Sequence, residues 1–118
     1  MKQDVIENIG VIYGLPVKSI DILNNILEKI DVDNKVQLDT AMRISIFNKT
    51  GKSIETINKY IGLLVKHKIF LRIGKGYYQA SSKLFTDSWN SLSNDSTFRI
   101  IMTFKDSKRI VRVKVIIP

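Results

Sequence analysis

The sequence predicts an α+β fold, and three stretches of it carry that prediction. Residues 53–67 pair a helix-capping serine with apolar residues at spacings of three and four. Residues 69–80 are two β-prone runs joined by Gly74-Lys75-Gly76. Residues 97–118 alternate apolar and basic residues around a polar turn, the pattern of a second hairpin. With 118 residues, 44% of them apolar, the chain suits one modest core.

Taken in order, the first predicted helix runs from Ser19, as its cap, to Ile30, with Ile22 or Leu23, Ile26, Leu27 and Ile30 along one stripe. Asp31-Val32-Asp33-Asn34 makes a turn and Lys35–Leu38 a short strand. Thr40–Asn48 gives a second helix with Met42, Ile46 and Phe47 as buried contacts. Gly51 suits the following turn, and Ser53 caps a third helix that buries Ile57, Tyr60, Ile61 and Leu64. That helix stops near His67 and Lys68. Ile69–Ile73 then forms a strand, the two glycines supply the positive φ angles of a tight hairpin, and Tyr77–Ala80 runs back. Helix, short strand, helix, helix and hairpin in that order describe a winged helix-turn-helix domain over residues 1–80. A mobile linker, 81–96, holds Trp89 as a packing anchor. The basic β-hairpin extension, 97–118, places Val111, Val113, Val115 and Ile117 on one face and Arg112 and Lys114 on the other. It is either part of the same unit or a dimerisation element, because a two-stranded ribbon alone is marginal.

Charge is distributed unevenly. The net charge is +8, yet residues 1–40 hold four lysines against seven acids. Residues 41–76 hold eight bases against Glu55 alone, and residues 97–118 hold six against Asp106 alone. Concentrated Lys and Arg displace counterions from a polyanion, so double-stranded DNA is the expected partner and binding is expected to weaken steeply with salt. The exposed face of the third helix carries Glu55, Asn58, Lys59 and Lys66, and its first turn adds Ser53 and Thr56. These residue types hydrogen-bond base edges or phosphates. Arg43, Lys49 and Lys52 are expected at the backbone beside the supporting helix, and Arg72 and Lys75 at the wing. Glu55 suits a cytosine amino group.

Asn34 to Leu38, Ser53 to Leu64, Leu71-Arg72-Ile73-Gly74-Lys75-Gly76-Tyr77 and Ser82-Lys83-Leu84-Phe85 together resemble the RepL-type plasmid replication proteins of low-GC bacteria. The resemblance spans residues 15–105. Winged-helix repressors share the helix and the Gly-x-Gly-Tyr wing, whereas the Phe-containing segment after the wing and the basic strands beyond it carry the likeness to RepL. Ala80-Ser81-Ser82 departs from the Asn-Pro pair usual there. The resemblance implies sequence-specific DNA binding in plasmid or mobile-element replication initiation or its control, with replication or transcription machinery as possible further partners. A transcriptional repressor needs the same reading head, and a protein-interaction module can use the same fold.

Other chemistry is set aside on sequence grounds. Thr50-Gly51-Lys52-Ser53 mimics the end of a phosphate-binding loop, but the first glycine of that motif falls on Ile46. Asp31 and Asp33 open like a calcium loop, but Lys35 takes a ligand position and Val36 the glycine position. His67 is the only histidine and has no nucleophile to serve, and Tyr13, Tyr60, Tyr77 and Tyr78 have no metal-binding cluster beside them. No enzymatic activity, cofactor or metal is expected. Without cysteine there are no disulfides. No apolar run of signal or membrane-spanning length follows Met1, so a cytoplasmic protein without a membrane partner is expected. A homodimer through the C-terminal hairpin would suit a symmetric or repeated site.

Overall fold

Apolar residues at helical spacing in the first half of the chain and alternating ones in the second half have to share one core, and the α+β arrangement follows from that. The computed structural model of the protein describes residues 1–116. Four helices come first or between short strands: α1 (Lys2–Ile12), α2 (Val17–Leu27), α3 (Thr40–Thr50) and α4 (Ile54–Lys66). The strands are β1 (Lys35–Gln37), β2 (Phe70–Gly74), β3 (Tyr77–Ala80), β4 (Thr97–Lys105) and β5 (Lys108–Ile116). The first three form an antiparallel sheet of order β1-β3-β2, and the last two form a separate ribbon.

α1 has no counterpart among the elements predicted from sequence, although Val5, Ile6, Ile9 and Ile12 recur at helical spacing. It buries Val5, Ile6 and Ile9. α2 begins at Val17, two residues before the predicted cap: Ser19 lies inside the helix, fully buried, its hydroxyl donating to the Pro16 carbonyl at 2.6 Å. α3 is capped by Asp39, whose carboxylate accepts from the Met42 amide at 2.8 Å, and is closed by Gly51 in the left-handed region. Ile46 is its buried residue and Met42 packs half-buried against the core. Phe47 corrects the sequence expectation, since it is 43% exposed. One α3 turn covers Ile46, and Phe47, 100° round the helix, faces outward.

Ser53 caps α4 as predicted, and Ile57, Tyr60, Ile61 and Leu64 are buried. β2 and β3 pair from Phe70↔Ala80 to Gly74↔Tyr77, with an irregularity after Arg72, and β1 adds to β3 through Val36↔Tyr78.

Residues 81–96, expected as a mobile linker, pack against the core. Leu84, Phe85 and Trp89 are buried, with the Trp89 ring edge-on to Phe85 at 5.1 Å between centroids. The buried Asn34 fixes this segment. Its amide donates to the Thr86 and Phe85 carbonyls at 2.9 and 3.4 Å, and its Oδ1 accepts from the Trp89 amide at 3.1 Å. Asn90 donates to the Leu27 and Ile30 carbonyls, satisfying groups left free where α2 ends. Val111 and Val113 of the ribbon join the same buried cluster, and the Val113 amide donates to the Lys83 carbonyl at 2.8 Å. Ile117, predicted on that apolar face, lies outside the described residues.

Candidate nucleic-acid interface

The site is built from α4 outward. Burial of Ile57, Tyr60, Ile61 and Leu64 on one stripe leaves Glu55, Asn58, Lys59, Gly62 and Lys66 exposed on the opposite side. At the start of the helix the Ser53 hydroxyl accepts from the Thr56 amide at 3.2 Å and donates to the Thr56 hydroxyl at 3.0 Å. That capping arrangement fixes both hydroxyl side chains at the rim of the exposed face.

Arg43 reaches this face from α3. Its Nε donates to the Leu38 carbonyl at 3.0 Å and its Nη1 donates to Asn58 Oδ1. The guanidinium therefore ties the end of β1 to α4 and holds the Asn58 amide in one orientation, with Oδ1 toward Arg43. The two N–H donors of that exposed amide remain available to a ligand. Lys59 stands one residue along, its Nζ 5.9 Å from the centre of the Tyr60 ring.

The 74–76 turn is anchored on the same end of β1. Leu38 donates its amide to the Gly76 carbonyl at 2.7 Å, and Gln37 Nε2 donates to the Lys75 carbonyl at 3.1 Å. Gly76 has φ +65°, which favours glycine, and a Cβ there would meet Gln37 Nε2 at 3.0 Å; Gly74 does not take the positive φ predicted for it. Arg72 is exposed and folds back, its Nε donating to the Gly74 carbonyl at 3.2 Å, which braces the turn. The Lys75 side chain is exposed at the tip.

Two of the expected contacts lie elsewhere. Lys49 Nζ sits 3.6 Å from Glu28 and Lys52 Nζ 3.2 Å from Asp21, both acids belonging to α2 or its C-cap. The Lys52 side chain is only 17% exposed. The structure thus brings Arg43, Ser53, Glu55, Thr56, Asn58 and Lys59 onto or beside one face, with Arg72 and Lys75 on the hairpin and Lys66 at the far end of α4. Lys49 and Lys52 are turned toward α2. Gln37, which pins the hairpin tip, has no sequence signature that would have singled it out.

At the C-terminal end of α4 the His67 ring lies 5.9 Å from Tyr13, and the Arg109 guanidinium stacks 5.3 Å over the other ring of that pair, Tyr13. Burial pushes the Tyr13 phenol above its usual value, with the nearby Arg109 charge opposing. Among the described residues no cluster of His, Cys, Asp or Glu is placed to hold a metal ion, and no helix is long and apolar enough to cross a membrane. Comparison with models of protein families, with curated proteins and with solved structures finds no match to the chain.

Proposed function

We propose that this protein binds double-stranded DNA as a winged helix-turn-helix, with α4 in the major groove and the 74–76 turn against the backbone. The observation that carries the reading is the exposed face of α4, where Arg43 holds Asn58 by its Oδ1 and leaves its amide donors available beside Lys59. Such donors match the N7, O6 and O4 acceptors that base pairs present in the major groove, and Glu55 matches the cytosine amino group. Ser53 and Thr56, at the start of α4, suit phosphate oxygens. Lys75 at the turn suits a phosphate on the flank. The element order and the β1-β3-β2 sheet support the reading, since the sheet sets the hairpin beside the helix. Lys49 and Lys52 take part only by exchanging their α2 partners for phosphates. For the half-exposed Lys49–Glu28 pair that exchange costs little, because such pairs contribute only about 0–1 kcal/mol. The process we assign, on the resemblance to RepL-type proteins, is initiation or control of plasmid or mobile-element replication.

A second reading, a protein-docking module, has one observation in its favour: Ile44 and Phe47, one turn apart on α3, are 47% and 43% exposed. Selection from a random-sequence duplex pool at two salt concentrations separates the two. The DNA reading expects one enriched motif and salt-sensitive affinity, with the enrichment lost in Lys59→Ala. Absence of salt-sensitive binding to any duplex refutes it and favours docking through α3.

A further inference from the structure

The C-terminal ribbon carries cations that enter no ion pair among the described residues. Alternation along β4 and β5 turns Phe98, Ile100, Val111 and Val113 toward the core and Arg99, Arg112 and Lys114 outward. In the ribbon register Arg99 lies directly opposite Lys114, and Arg112 is two residues from Lys114 on the same strand. Opposed pairs sit about 5 Å apart between Cβ atoms and same-face neighbours about 7 Å apart, so three cations share a small area. All three are exposed. The ion pairs among the described residues, Met1–Asp4, Lys49–Glu28 and Lys52–Asp21, include none of them. Asp106, the one acid of the ribbon, lies in the turn at its tip, where Lys105 again faces Lys108. Like charges placed directly opposite across two strands destabilise them, and no ion pair among the described residues offsets that cost here.

We propose that the outward face of the β4–β5 ribbon is a second phosphate-binding surface, with Arg99, Arg112 and Lys114 contacting the backbone of the duplex that α4 engages. This inference rests on the DNA-binding reading above and adds a site to it. The outward face has no aromatic side chain on which a base would stack, so its contacts are to phosphates and are independent of sequence. The ribbon is also fixed relative to α4: Arg109 stacks on Tyr13, which lies against His67 at the end of that helix, and Val111 and Val113 are locked in the core.

The test uses the full chain with Arg99→Gln, Arg112→Gln and Lys114→Gln combined, binding a duplex of fixed sequence at 50 and 200 mM salt. Three lost phosphate contacts lower the salt slope by about 2.7, so the affinity deficit of the variant shrinks about 40-fold between the two salt concentrations. The charge-preserving variant Arg99→Lys, Arg112→Lys, Lys114→Arg retains the wild-type slope. Should the triple glutamine variant fold poorly, Lys114→Gln alone lowers the slope by about 0.9. A wild-type slope in the glutamine variants overturns the ribbon site and leaves the α4 reading standing. A wild-type protein that binds no duplex overturns both.

Discussion

Arg43 is expected to act on sequence preference through Asn58, and a double-mutant cycle tests this. Asn58→Ala removes the amide that Arg43 orients. A well-placed amide contact to a base is worth about 1–3 kcal/mol of discrimination, so the ratio of specific to non-specific affinity falls about 5- to 150-fold. Arg43→Ala leaves Asn58 in place but frees its rotamer, and re-ordering one such side chain on binding costs about 0.5–1.5 kcal/mol, a loss of about 2- to 12-fold in the same ratio. Any phosphate contact made by Arg43 itself affects all sequences alike and cancels in that ratio. In the Asn58→Ala background Arg43→Ala therefore leaves the preference unchanged. The assay is titration of the duplex selected from the random pool against a scrambled duplex, for wild type, both single variants and the double. Loss of the hydrogen bond from Arg43 Nε to the Leu38 carbonyl also costs about 1–2 kcal/mol of stability, a drop of about 4–8 °C in Tm that confirms the variants remain folded at the assay temperature. Preference losses that add within about 0.5 kcal/mol would refute the positioning role, because independent sites behave that way.

Lys75→Ala is expected to weaken binding to all sequences equally and to lower the salt slope by about 0.9, close to a 3.5-fold change in relative affinity between 50 and 200 mM salt; an unchanged slope removes the hairpin tip from the interface. Asn34→Ala leaves the Trp89 amide unpaired and puts alanine at φ 59°, for a loss of about 3–5 kcal/mol in denaturant unfolding. Asn34→Gly, free to adopt that φ, is expected to lose about 1–2 kcal/mol less, and equal losses would show that the backbone angle contributes nothing. Burial raises the folded-state pKa of Tyr13 above 10.0, so at alkaline pH the folded protein keeps a proton that the unfolded chain has released, and stability falls as pH rises through the unfolded value. The stability difference between wild type and Tyr13→Phe should therefore decline above pH 10, and a flat difference would refute the shift.

What the sequence determined by itself was the set of elements whose causes lie within a few residues. Ser53 capping α4, the stripe Ile57, Tyr60, Ile61 and Leu64, the positive φ of Gly76 in the hairpin turn and the alternation of β5 are all set by local hydrogen bonding, helix periodicity and φ preference. The composition of the exposed α4 face was legible for the same reason, since burying one stripe fixes which residues remain outside. Only the tertiary structure decided matters that depend on partners distant in sequence. α1 carries a legible helical repeat at Val5, Ile6, Ile9 and Ile12, but that it is held by burying Val5, Ile6 and Ile9 against the core is decided by packing. Residues 81–96 are composed like a linker, yet Asn34, some fifty residues earlier, pins them by hydrogen bonds to backbone groups that carry no side-chain signature. Lys49 and Lys52 have the same chemistry as Lys59, but Glu28 and Asp21 on the packed neighbour turn them away from the α4 face. A long, flexible cationic side chain is directed by the field of whatever the fold sets beside it, and that neighbour is settled only when the helices pack.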